Sequence, residues 1–252
     1  MQIAAECQGT GPPLVYAHGL TGDRSGTFAQ MQPLLSHYTV IAYDQRGHGD
    51  STPVHDPALY DPHMMAEDMG HVMDAYSANQ AFIGGESMGA ATALLFALAH
   101  PERVQALLLK VPAFGSTPNP DRESIRAMGQ LIGQGGVAMY LEHARSVNRF
   151  NLPDDLRESL SERLLRHDEK SLATACKTVI DWTLLSDMEQ LAELTVPTCI
   201  VAWRDDPLHP FGLAEAMVQV MPNAVLHEQT ILQHFSDPAA TGRIYGEFLQ
   251  SL

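Results

Sequence analysis

The sequence predicts an α/β fold: a doubly wound, mostly parallel sheet of about seven to eight strands with one helical insertion. Three observations lead there. Short apolar runs alternate with amphipathic stretches from residue 14 to residue 113, the alternation resumes after Pro197, and residues 115–193 carry helical patterning with no convincing strand. Strands joined through helices run parallel, because the crossover carries the chain back to the end of the sheet where the previous strand began.

The elements follow in order. Residues 3–7 offer one short strand. Leu14-Val15-Tyr16-Ala17 is a buried strand, and 27–36 a helix with Phe28, Met31, Leu34 and Leu35 on one face. Val40-Ile41-Ala42-Tyr43 is the next strand, and 64–76 a helix that turns Met65, Met69, Val72, Met73 and Tyr76 inward; a methionine stripe of this kind is core filling. A strand at 80–84, a helix at 88–99 and a buried strand at 104–111 follow. The insertion has helical segments near 121–132, 136–149, 154–167 and 171–184, opened by turn signals such as Asn119-Pro120-Asp121. A strand at 198–202, a helix at 212–220, a strand at 224–228 and a terminal helix at 239–252 complete the sheet. The expected organisation is a core of 1–114 and 194–252 with a cap of 115–193.

Composition narrows the function classes. The formal charge of −15, from 30 acidic and 15 basic residues, disfavours nucleic acid and anionic membranes, which need a basic footprint. No run of about 18 apolar residues offers a membrane span. The first residues lack a basic segment followed by an apolar one, and Cys7, Cys176 and Cys199 form no disulfide framework, so a reducing cytoplasm is expected. The twelve histidines follow no ligand spacing; no metal and no cofactor are expected.

Chemistry enters at Gly85-Glu86-Ser87-Met88-Gly89, a G-x-S-x-G pentapeptide between a strand and an Ala/Leu-rich helix. Glycines flank the serine because side chains there would strike the neighbouring strand and helix. The serine is thereby held above the sheet at the positive end of a helix. A serine hydroxyl is a weak nucleophile and needs a base and a group to orient it. Two loops past strand ends supply candidates: Arg204-Asp205-Asp206-Pro207-Leu208, and Gln233-His234-Phe235. Amide donors for an oxyanion are expected from Met88, directly after the serine, and from Leu20 in His18-Gly19-Leu20-Thr21-Gly22.

On these residues, together with Asp44-Gln45-Arg46-Gly47-His48-Gly49-Asp50-Ser51, the chain resembles the α/β-hydrolase superfamily over nearly its whole length. The resemblance implies an eight-stranded sheet, a structural role for 44–51, and the order Ser…Asp…His. It picks Asp206 over Asp205, because a proline and an aliphatic residue follow the acid in the family's loop. The implied triad is Ser87, Asp206 and His234. A serine disfavours the dehalogenase and epoxide hydrolase chemistries of this fold, which use aspartate there. Phe235 stands where ring-cleavage C–C hydrolases often carry tryptophan. Ala90-Ala91 stands where menaquinone-pathway relatives usually carry arginine.

The leading expectation is hydrolysis of a small-molecule ester or lactone through an acyl-serine, with Trp182, Tyr140, Met139 and Phe114 as candidate pocket residues. A C–C bond hydrolase or carbon–carbon lyase acting on a carboxylated substrate, gripped by Arg122, Arg126, Arg145 or Arg149, is the alternative. A non-catalytic ligand-binding member of the fold is the third.

Overall fold

A computed structural model describes residues 1–147, 153–204 and 206–252. Asp205 and Arg149 lie outside the described residues. Seven strands form one sheet: β1 (Ala5–Gly9), β2 (Pro13–Ala17), β3 (Thr39–Tyr43), β4 (Ala81–Glu86), β5 (Val104–Lys110), β6 (Thr198–Trp203) and β7 (Ala224–Gln229). Their order across the sheet is β1-β3-β2-β4-β5-β6-β7; β1 is antiparallel to β3 and every other pair is parallel. The N-terminal segment supplies the single strand β1, which leaves seven strands among the described residues where the resemblance implies eight.

The central strands are apolar on consecutive positions because helices cover both faces. Leu14, Val15, Tyr16 and Ala17 of β2 have no solvent exposure. One face carries α1 (Arg24–Met31) and α9 (Ala240–Gln250), whose Phe28, Met31, Tyr245 and Leu249 pack on Leu14, Tyr16 and Val40. The other face carries α2 (Pro62–Ala75), α3 (Met88–Ala99) and α7 (Phe211–Val220). Local chemistry sets the helix starts: the Asp23 side chain accepts from the Gly26 amide, and that of Asp61 accepts from His63 and Met64 ahead of Pro62.

Between β5 and β6 come α4 (Arg122–Val147), α5 (Asp154–Leu164) and α6 (Glu169–Val179), with no strand among the described residues. The helical path of α4 breaks at Gly135 and Gly136, the latter at φ +76°. Glu169 of α6 restarts it by accepting from the Val137 amide at 2.8 Å. Met128, Ile132, Leu141, Leu164, Leu172 and Cys176 give the insertion a small core, whereas Val179, Ile180, Trp182 and Leu185 join the main one.

Chain direction reverses across the sheet between β2 and β4: the connection from β2 leads outward to β3, and that from β4 leads the other way to β5. Ligand crevices open beyond the carboxyl ends of strands at such a point. The loops after β2 and β4 meet there.

Candidate active site

Ser87 lies between β4 and α3 with φ +53° and ψ −108°, a conformation that costs an L-residue roughly 1–3 kcal/mol and is held by what surrounds it. A Cβ on Gly85 would fall on the Gly89 carbonyl, and one on Gly89 would fall on the Ala17 carbonyl. The Ser87 amide donates to the Lys110 carbonyl at 2.9 Å, which extends the sheet register into the turn. The elbow expected from the pentapeptide is therefore built as its residue types require.

Two contacts lead from the hydroxyl. His209 Nε2 is 2.9 Å from Ser87 Oγ, and His209 Nδ1 is 2.5 Å from Asp206 Oδ2. The second Asp206 oxygen accepts from the Leu208 amide at 3.0 Å, so the loop after β6 holds its own carboxylate still. Asp206 and His209 are both buried.

The structure differs from the sequence expectation at the base. His234, expected there, lies in a short helix, α8 (Ile231–Ser236), and its Nδ1 is 2.9 Å from Lys110 Nζ. An ammonium has no acceptor, so Lys110 donates and the Nδ1 of His234 accepts. A base in a triad needs the reverse, an Nδ1–H pointing at the acid. Burial, reinforced by the Lys110 charge, pushes His234 down to about 3. Lys110 also donates to Gln30 Oε1 at 2.8 Å and to Glu86 Oε2 at 3.2 Å, which uses all three of its hydrogens. Gln30 donates to Glu86 at 2.7 Å and closes the network. Burial alone would raise Glu86; Lys110, His234 and Gln30 outweigh it and hold the carboxyl at about 2. Trp203 separates the two histidines, with ring centroids 5.8 Å from His209 and 5.0 Å from His234.

Two local signals pointed to this outcome. Thr230-Ile231-Leu232-Gln233 is a capping box that starts α8, with Thr230 and Gln233 each bonding the other's amide. His209 stands three residues after Asp206 in one loop, a spacing from which a single turn brings the two side chains together.

The loop expected to supply a second amide donor has its own support. A Cβ placed on Gly19 would lie 3.5 Å from Ser87 Cβ, so the loop after β2 passes directly beside Ser87. Gln45's amide donates to His18 Nε2 at 2.9 Å, which leaves the proton on Nδ1 to reach the Gly19 carbonyl at 2.7 Å. His48 Nε2 lies 2.8 Å from the Leu20 carbonyl, and His167 of the insertion stacks edge-on against His48 at 5.4 Å. Burial pushes His18 to about 3 and His48 to about 4. The turn at 44–51 thus braces the loop that carries Leu20. Met88 begins α3, where the first amides have no partner within the helix.

Of the four candidate pocket residues, Tyr140 lines a cavity of about 430 Å³ between the insertion and the strand-end loops. Trp182 and Phe114 instead pack in the main core, with centroids 5.5 Å apart and Trp182 Nε1 donating to the Tyr60 carbonyl at 3.0 Å. Met139 is 41% exposed. Among the candidate arginines, Arg126 pairs with Asp181 at 2.6 Å and Arg122 approaches Glu123 at 3.6 Å, while Arg145 lines the cavity. Among the described residues, no three His, Cys, Asp or Glu side chains converge as a metal site, and no helix is long and apolar enough to cross a membrane.

A strained serine at a strand-to-helix turn, an imidazole on its hydroxyl and a carboxylate behind that imidazole define a class of protein. The model of the alpha/beta hydrolase fold matches residues 12–232, and the chain belongs to that family. "Putative carbamate hydrolase RutD" of Stutzerimonas stutzeri (strain A1501) is 33% identical over 222 residues, 85% of this chain and 82% of that protein. The 3-oxoadipate enol-lactonase 1 of Acinetobacter baylyi is 25% identical over 96% of this chain and 90% of its own. Among solved structures, a thermophilic esterase from Thermogutta terrifontis with malate bound superposes with a TM-score of 0.83 at 23% identity, covering 99% of this chain and 93% of that one.

Proposed function

We propose that this hydrolase cleaves a small carboxylic ester or lactone through an acyl-serine intermediate, with His209 as its base. The observation that carries the reading is the chain of contacts Asp206–His209–Ser87. Ser87 attacks the carbonyl carbon while His209 Nε2 takes the hydroxyl proton. Asp206 fixes the tautomer and stabilises the imidazolium. The amides of Met88 and Leu20 receive the oxyanion, an interaction stronger in the tetrahedral state than in the ground state. The alkoxide leaves with the proton from His209, and water then repeats the sequence on the acyl group.

A carbamate is the second reading, favoured by the identity to RutD. The same residues would act on it, with a carbamoyl-serine in place of the acyl-serine.

The test is a substrate panel of p-nitrophenyl esters, lactones and carbamates, run with wild type and Ser87→Ala. A fluorophosphonate probe should label Ser87, and Ser87→Ala should abolish both labelling and turnover. Full activity in Ser87→Ala, or a label mapped to another residue, overturns the proposal. The ranking of esters against carbamates decides between the two acyl groups.

A further inference from the structure

The cavity of about 430 Å³ is bounded on the insertion side by apolar groups such as Met128, Leu141 and Leu164. On the sheet side it is bounded by Thr21, Leu208 and Phe235, the sequence neighbours of Leu20, His209 and His234. It therefore opens beside the loops that carry Leu20 and His209, the latter in contact with the Ser87 hydroxyl. Arg163 of α5 also lines it.

Arg163 is half-buried, and among the described residues it makes no hydrogen bond and no ion pair. Its guanidinium occupies room that exists because residue 26 is glycine: a Cβ there would be 3.2 Å from Arg163 Nη1. Asp23 is a carboxylate close enough to feel this charge, but its oxygens are committed to the Gly26 amide at 2.9 Å, the Ser25 hydroxyl at 2.5 Å and Arg166 at 3.7 Å. Two further arginines line the cavity: Arg157 is already paired with Asp154, and Arg145 is exposed to solvent, where its guanidinium stays hydrated.

In a chain with twice as many acids as bases, an arginine with no ion-pair partner among the described residues, set against an apolar wall, stands out. A partly desolvated guanidinium with its donors unused matches a carboxylate in both charge and geometry. We propose that Arg163 is the subsite for a substrate carboxylate. The substrate is then an anionic ester or lactone: its reacting carbonyl sits at Ser87, its apolar middle lies along Met128, Leu141 and Leu164, and its far carboxylate rests on Arg163. The proposal rests on Ser87 being the acylated residue.

The experiment compares mono-p-nitrophenyl glutarate with the neutral p-nitrophenyl valerate of similar length, and measures glutarate binding by calorimetry. Wild type should favour the anionic ester by at least about tenfold in kcat/KM, as a charge-assisted pair requires. Arg163→Gln should lower kcat/KM for the anionic ester by roughly 30-fold, mainly through KM, and leave the neutral ester within about threefold. Arg163→Lys keeps the charge and should retain part of the preference, which separates lost recognition from lost folding. Equal kinetics for the two esters in wild type, or equal losses on both in the variants, overturns the subsite. If neither ester turns over but glutarate binds in an Arg163-dependent way, the subsite stands and the hydrolase reading fails. Absence of both preference and binding overturns the subsite.

Discussion

Lys110 Nζ donates to Nδ1 of His234 at 2.9 Å, so the imidazole after the last strand meets a cation at the nitrogen where a triad places its carboxylate. A base must become an imidazolium during attack, and a neighbouring ammonium opposes that charge. His209 meets Asp206 at the equivalent nitrogen and has the opposite electrostatics.

Replacement of each histidine separates the two roles. His209→Ala should lower kcat/KM by about 10³-fold or more, and Asp206→Asn by a similar or larger factor. His234→Ala should cost less than about tenfold, because it removes a partner of Lys110 and no proton-transfer step. Steady-state kinetics with one activated ester suffices. The reverse ranking would return the base to His234.

The Lys110–Glu86 pair should behave as a buried ion pair. Lys110→Met leaves the largely buried Glu86 carboxylate without its cation and should destabilise the fold by about 3–5 kcal/mol in urea unfolding. The double variant Lys110→Met with Glu86→Gln should recover part of that loss, since no uncompensated charge remains. Simple additivity of the two single effects would show that the pair is not coupled.

Acid should weaken the fold in a defined window. His18, His48 and His234 titrate in the folded chain near 3, 4 and 3, below the value of about 6.5 for an unfolded histidine. Below pH ~6.5 the unfolded state therefore binds protons that the folded state refuses. Their contribution is complete above that pH and falls by up to ~1.4 kcal/mol per histidine for each pH unit toward 4. Glu86 adds a loss of the same sign at lower pH, between its unfolded value and about 2. Urea unfolding at pH 7.5, 6 and 5 measures the slope, and a flat profile contradicts this account.

Side chains of the insertion should divide by location. Tyr140→Ala should change relative kcat/KM between short and long acyl esters by about 1–3 kcal/mol. Met139→Ala, at an exposed position, should leave that ratio unchanged. Trp182→Ala should instead cost about 3–5 kcal/mol of stability, because it opens the main core and strands the Tyr60 carbonyl. A change in specificity from Trp182→Ala without loss of stability would place it on the pocket after all.

The parallel sheet, the order of its elements and the strand–turn–helix elbow at Ser87 were legible in the sequence because each depends on neighbours a few residues away. Apolar runs mark β2 and β3, the period of Met65, Met69 and Met73 marks α2, and the glycines around Ser87 mark the elbow. Which histidine faces Ser87 was legible only in part, through the three-residue spacing of Asp206 and His209. Ser87 and His209 are 122 residues apart, and Lys110 and His234 are 124 apart. The Asp206–His209 contact is local to one loop, but the approach of His209 to Ser87 and of Lys110 to His234 exists only once β4, β5 and β6 align, and the partner each histidine meets sets its tautomer. Core against cavity was settled in the same way. Trp182 and Tyr140 are both aromatics in stretches whose sequence reads as helical, yet Trp182, just past the end of α6, turns into the main core and Tyr140 of α4 toward the cavity, because tertiary packing decides direction where periodicity cannot.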